Sequence, residues 1–150
     1  MITLHIGSDH GGFELKQGVI AFLQQEGYNC IDQGTHDLQS VDYPDYAELV
    51  GKAILNDPAA RGILICRSGI GVSIAANKIP GIRAAVVKIE DDAEYARRHN
   101  DANIICLGGK HTTLYLAQKF IKIFLTTAFE GGRHERRIMK IQAIEACCKS

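Results

Sequence analysis

The sequence predicts an α/β domain with a doubly wound, mostly parallel five-stranded sheet and helices on both faces. Three observations carry that prediction: short apolar runs alternate with longer stretches of helical period, the runs are apolar almost throughout, and each is followed by a helix candidate. Strands covered on both faces lose the apolar/polar alternation of half-exposed strands, and parallel strands need a crossover that is usually a helix.

Thr3–Gly7, Asn29–Asp32, Gly62–Cys66, Ile82–Val87 and Asn103–Leu107 read as the five strands. After the first, Leu15, Val19, Phe22 and Leu23 recur at i, i+4, i+7, i+8, the stripe of a helix that buries one face. Ala117, Phe120, Ile121 and Phe124 do the same at i, i+3, i+4, i+7 after the fifth strand. The intervening helices are expected to be shorter. Arg97-Arg98-His99-Asn100-Asp101 closes one of them, and Gly131-Gly132-Arg133 opens a C-terminal helix over about 133–147. No Pro/Ser-rich or strongly charged stretch divides the chain, so residues 1–150 are expected to form one domain.

Lys plus Arg and Asp plus Glu balance at 17 each, so no global field draws the chain to nucleic acid or to a membrane surface. Anion binding must then be local. The cysteines at 30, 66, 106, 147 and 148 form an odd set without CxxC or zinc-ligand spacing. They are expected to be reduced thiols, with no metal bound. The start of the chain lacks a basic segment followed by a long apolar core, and no apolar run reaches membrane-spanning length, so a cytoplasmic location is expected.

In open α/β sheets ligands collect outside the carboxyl ends of the strands. Ser8-Asp9-His10-Gly11-Gly12 follows the first strand and Cys66-Arg67-Ser68-Gly69-Ile70-Gly71 the third, both at turn-to-helix junctions. A thiolate gains from the unpaired N–H groups at a helix start, so Cys66 is either a base or nucleophile, or a small buried strand-end residue. Asp9 either caps the next helix or meets a ligand; His10 is either a surface residue or part of the same site. The turn at 67–71 lacks the lysine and hydroxyl that close a Walker loop and has two glycines, too few for a dinucleotide fingerprint, so no nucleotide cofactor is implied. Its backbone N–H groups and the Ser68 hydroxyl suit a small oxyanion. Arg133 and Arg137, spaced i, i+4, either grip a phosphate together or pair with Glu130 and Glu135. His99 at a helix C-terminus is either a charge–dipole contact or a proton-handling group. A thiol, two histidines, an aspartate, an N–H nest and an arginine pair together suit proton transfer on a small phosphorylated molecule, of which sugar-phosphate isomerisation is the simplest case.

Four motifs then carry a resemblance over nearly the whole chain: Ser8-Asp9-His10-Gly11-Gly12-Phe13, Asp42-Tyr43-Pro44-Asp45-Tyr46-Ala47, Cys66 through Lys78, and His99-Asn100-Asp101 with Glu130-Gly131-Gly132-Arg133-His134. The sequence resembles the ribose-5-phosphate isomerase B family of ribose/galactose isomerases. The resemblance implies a Rossmann-like fold and a metal-free, cofactor-free aldose–ketose isomerase, a homodimer whose active sites are shared between subunits. It implies that Cys66 is the base that moves a proton between two carbons and that His99 is the proton donor in ring opening. Asp9 and His10 would contact substrate, Arg67, Ser68, Gly69, Ile70 and Gly71 would hold an enediolate, and Asn100, Lys110, Arg133 and Arg137 would complete the pocket, chiefly towards phosphate. The implied reaction interconverts ribose 5-phosphate and ribulose 5-phosphate; the alternatives are an isomerase of allose or galactose 6-phosphate, or an inactive sugar-phosphate-binding subunit. The chain departs from the family at Arg67 and Ser68, where glycine then threonine is usual, and at Lys110, where arginine is more common. A side chain at 67 obstructs the nest if φ there is positive; otherwise it leaves the N–H in place and adds a cation beside thiol or phosphate.

Overall fold

The computed structural model describes residues 1–148. The chain runs β1 (Thr3–Ser8), α1 (Phe13–Gln25), β2 (Asn29–Asp32), α2 (Tyr43–Asn56), β3 (Arg61–Cys66), α3 (Ile70–Asn77), β4 (Ala84–Val86), α4 (Glu90–Arg98), β5 (Ile104–Gly108), α5 (Leu114–Thr126) and α6 (Arg133–Cys147). All neighbouring strands are parallel, in the order β2-β1-β3-β5-β4. Successive side chains of a strand point to opposite faces, and the two cores follow that alternation. Ile63, Ile65, Ile105 and Leu107 pack with Val19, Leu23, Ala93, Phe120 and Phe124 of α1, α4 and α5. Leu64, Cys66, Ile104 and Cys106 pack with Val50, Ile54, Val72 and Ala76 of α2 and α3.

Two elements differ from the sequence reading. α2 has 14 residues, one more than α1 or α5, so only α3 and α4 are the shorter helices expected. Pro44 in its first turn presets φ, and Ala47, Val50, Gly51 and Ile54 supply a buried stripe at i, i+3, i+4, i+7. β4 keeps only Ala84–Val86 of the run Ile82–Val87. It lies at the sheet edge, where the Asn77 side chain takes the place of a sixth strand: its Nδ2 donates to the Ala84 carbonyl at 2.9 Å and its Oδ1 accepts from the Ala84 N–H at 2.8 Å. The Asn103 Oδ1 accepts from the Arg83 N–H at 2.8 Å, drawing the segment before β4 off the ladder.

From β1 the chain steps outward to β2 and then returns to the other side of β1 for β3. The carboxyl ends of β1 and β3, with Ser8 and Cys66, therefore flank a topological switch point, where ligands bind in sheets of this class.

Candidate active site

Cys66 ends β3 with 4% of its surface exposed, and its Sγ accepts a hydrogen bond from the Gly69 N–H at 3.2 Å. Gly69 caps α3 in the left-handed region at φ 79°, and a Cβ there would lie 3.0 Å from the Leu107 carbonyl carbon, so conformation and space both require glycine. The Ser68 Oγ accepts from the Ile70 N–H at 3.2 Å, which ties the turn to the first residue of α3. Arg67 does not obstruct this nest. Among the described residues Asp101 is the one non-glycine with positive φ, so Arg67 takes an ordinary backbone conformation; its side chain is exposed and its carbonyl accepts from the Lys110 N–H at 3.1 Å. Lys110, also exposed, is thereby fixed at the same end of the sheet.

Asp9 is 7% exposed and its Oδ1 accepts from the Gly12 N–H at 3.2 Å, so it ties down the start of α1 while sitting beside the nest. The ideal Cβ position of Gly11 lies 3.3 Å from Asp9 Oδ1 and 3.2 Å from the Arg67 nitrogen, which shows how closely the two strand-end loops approach. The His10 Nδ1 accepts from the Val41 N–H at 3.2 Å, which leaves Nε2 to face outward. Asp9 and His10 line a cleft of about 500 Å³ with residues 40–45 at the start of α2. Tyr43 of that segment carries no site role in the sequence pattern, yet its ring packs against Gly71 so closely that a Cβ would come within 2.6 Å of Cζ. Tyrosine beside a glycine turn of another element is a tertiary contact that local pattern does not encode.

Burial pushes the Cys106 thiol up, with the neighbouring Cys66 adding to the effect, and burial also raises Cys30. In both, burial favours the thiol over the thiolate, whereas Cys66 has an N–H donor on its sulfur.

The other residues gather elsewhere. His99 follows α4 and is sandwiched between Tyr95 (centroids 4.7 Å apart, planes at 11°) and His134 (4.2 Å, 8°). Asn100 caps the end of α4 by donating from Nδ2 to the Tyr95 carbonyl at 3.0 Å, and its own carbonyl accepts from Arg83 Nε at 2.9 Å. Glu130 Oε2 lies 3.7 Å from His99 Nε2 and 3.8 Å from His134 Nε2. Glu130 faces the imidazoles, and among the described residues Arg133 and Arg137 form no ion pair, so their pairing with Glu130 or Glu135 is not observed. Both guanidinium groups are exposed at the start of α6, free to take an anion.

His99, Glu130 and His134 also bring three ligand-type atoms within 4.8 Å of one another. A metal–nitrogen bond lies in the imidazole plane, and two nearly parallel stacked planes share no such point. The trio would have to leave its stack to grip a cation.

Burial lowers His134 below the ordinary 6.5 of an imidazole, with His99, Arg133 and Arg137 adding to the effect and Glu130 opposing it. Burial likewise lowers His5, opposed by Asp57; its Nδ1 accepts from Gln33 Nε2 at 3.0 Å. Below 6.5 the unfolded chain takes up protons that the folded chain refuses at both positions, so stability falls as pH drops. Urea unfolding should therefore show a lower midpoint at about pH 5.5 than at about pH 7.5, with a smaller difference in His5→Gln. An unchanged midpoint would contradict these assignments.

One chain does not bring the two groups together. β3 runs from the Gly62 level, where Gly62 pairs with Ile104 and donates to the Asn103 carbonyl, to Cys66 at the far end. His99 and Asn100 precede Asn103, at the amino ends of the strands. Four strand steps place Cys66 ~13 Å away along the sheet, farther than one five-carbon phosphate bridges. Asp9, His10, Cys66, residues 67–71 and Lys110 therefore gather at the carboxyl end of the sheet, and His99, Asn100, Arg133 and Arg137 at the other.

The sheet order, the thiol and N–H nest at the switch point, and the exposed arginine pair define a doubly wound α/β enzyme domain suited to a small anionic substrate. The chain belongs to the Ribose/Galactose Isomerase family, whose model matches residues 4–141. It is 42% identical over 145 residues to ribose-5-phosphate isomerase B of Escherichia coli, covering 97% of each chain. The structure of Clostridium thermocellum ribose-5-phosphate isomerase B is similar at a TM-score of 0.95 and 48% identity, over 97% of this chain and 98% of that one. The Mycoplasma genitalium ribose-5-phosphate isomerase B with bound ribulose-5-phosphate has a TM-score of 0.92 and 41% identity, over 97% of both chains.

Proposed function

We propose that this chain interconverts ribose 5-phosphate and ribulose 5-phosphate through an enediolate, as a homodimer that joins the Cys66 end of one copy to the His99 end of the other. The observation that carries the reading is the division of one chemically complete set of groups between opposite ends of a single sheet. The relatives named above support the pentose substrate. Exposed apolar surface supports self-association: Ile70 and Ile74 on α3 are 48% and 58% exposed, and Ile141 and Ile144 on α6 line a groove of about 450 Å³ with Ile82, Ala84 and Ala85. Among the described residues no helix is long and apolar enough to cross a membrane.

In the proposed reaction His99 gives a proton to the ring oxygen as the C1–O4 bond breaks, and the C1 hydroxyl proton passes to water, leaving an open-chain aldehyde. Cys66 Sγ then takes the proton from C2 while the carbonyl pair moves onto O1. Orphan N–H groups of the turn from Arg67 to Gly71 and of the first turn of α3 meet the charge of the enediolate. Returning the proton to C1, as the O2 hydroxyl proton moves to O1, completes the ketose. Asp9 and His10 orient the sugar, and Asn100, Lys110, Arg133 and Arg137 hold the far end and its phosphate. Arg67 contributes through its main chain. Incubation with ribose 5-phosphate in D₂O tests the reading: ketose should form with deuterium at the carbon beside the carbonyl, and neither turnover nor exchange would reject it.

A further inference from the structure

The stack beneath His99 uses groups that take no part in the proposed reaction. His134 is 5% exposed, and its Nε2 is buried without a hydrogen-bond partner, 3.8 Å from Glu130 Oε2. A buried ring nitrogen left unpaired is costly unless the arrangement is held for a reason. The glycines before it hold it there: Gly131 and Gly132 take φ values of 74° and 58°, turning the chain so that α6 starts against the end of α4, and the Glu130 N–H donates to the Arg98 carbonyl at 3.0 Å. These contacts set Glu130 beside the His99 Nε2 and lay the His134 ring flat on the His99 ring.

We propose that Glu130 and His134 are positioning residues for ring opening, Glu130 presenting its carboxylate to the His99 ring and His134 serving as the flat face against which that ring rests. The inference rests on the assignment of His99 as the ring-opening acid. The groups around His99 are Tyr95 from α4, Glu130 from the turn before α6, and His134 from α6, with Arg133 and Arg137 on that helix close enough to influence His134. Two stacked imidazoles cannot both carry charge cheaply. Burial of His134 beside Arg133 and Arg137 disfavours its charged form, leaving the half-exposed Glu130 carboxylate to face His99.

Chemistry separates this role from packing. Ribose 5-phosphate is a closed ring and must be opened, whereas ribulose 5-phosphate, whose C5 oxygen carries the phosphate, is open-chain. Deuterium exchange into C1 of ribulose 5-phosphate in D₂O therefore reads Cys66 chemistry alone, and turnover of ribose 5-phosphate reads ring opening as well. Glu130→Gln should lower ribose 5-phosphate turnover about fivefold, the upper range for a half-exposed ion pair, and His134→Ala about tenfold. Exchange into ribulose 5-phosphate should stay within about twofold of the parent in both. His134→Phe, which restores a flat neutral face, should recover most of the loss. Equal losses in the two readouts, or no loss in either, would overturn the inference. Glu130 is half exposed, so Glu130→Gln decides alone if His134→Ala fails to fold. His99→Asn separates the two layers: unchanged ribose turnover there removes His99 itself, while a selective loss there with parental behaviour in Glu130→Gln and His134→Ala removes only the positioning role.

Discussion

Replacing Cys66 by alanine is expected to lower kcat for ribose 5-phosphate by about 10³- to 10⁴-fold while leaving substrate affinity within about threefold, because in the proposed reaction the thiol does the proton transfer and the arginines do the holding. The sulfur also accepts the Gly69 N–H at 3.2 Å, so alanine leaves that donor without its acceptor. Serine keeps an acceptor there but is a far weaker base. A serine variant as inactive as the alanine one places the loss in proton chemistry; a serine variant near parental turnover would mean that another group is the base. Cys106, one strand away and fully buried, is no substitute, since burial keeps its thiol protonated.

The largest expected effect on stability lies at Asp32. Lys16 of α1 is 0% exposed, and its Nζ reaches both Asp32 carboxylate oxygens at 2.7 Å. Asp32 also accepts from the Gly34 N–H at 2.9 Å, so one carboxylate neutralises a buried ammonium and fastens the end of β2 to the loop that follows. Asp32→Ala strands that ammonium and should cost about 3–5 kcal/mol, a large part of the 5–15 kcal/mol typical of a domain. Lys16→Met in the same chain should restore most of the loss, since an apolar side chain of similar length fills the space without a charge to desolvate. Urea unfolding of the single and double variants measures both. A loss below about 1 kcal/mol in Asp32→Ala would show that the pair is solvated in solution.

The sheet was legible because its strands are covered on both faces: Ile63-Leu64-Ile65 and Ile104-Ile105 are fully buried and leave a continuous apolar run. The ends were less legible, since β4 stops where the Asn77 and Asn103 amides replace ladder partners, and these come from distant positions. Lys16 was illegible for a related reason: a lysine next to a helical stripe reads as solvated, and only the fold brings the carboxylate 16 residues on against it. Within the candidate site, the strand-end residues 8–12 and 66–71 could be found from position in the fold class alone. That His99 lies beyond the reach of Cys66 in one chain was foreshadowed only by the family resemblance; the residues themselves do not give the distance, which depends on which end of the sheet each loop occupies. Glu130 and His134 stood in a visible motif, but their contact with His99 arises from two positive-φ glycines that bring the start of α6 against the end of α4.

Subunit mixing tests the shared site most directly. Cys66→Ser and His99→Asn chains should each be nearly inactive alone. Unfolded together and refolded, they should form half mixed dimers, each with one intact site and one doubly defective site, and regain about a quarter of parental turnover. A mixture that stays as inactive as its parents would show that Cys66 and His99 do not meet across two copies of this chain.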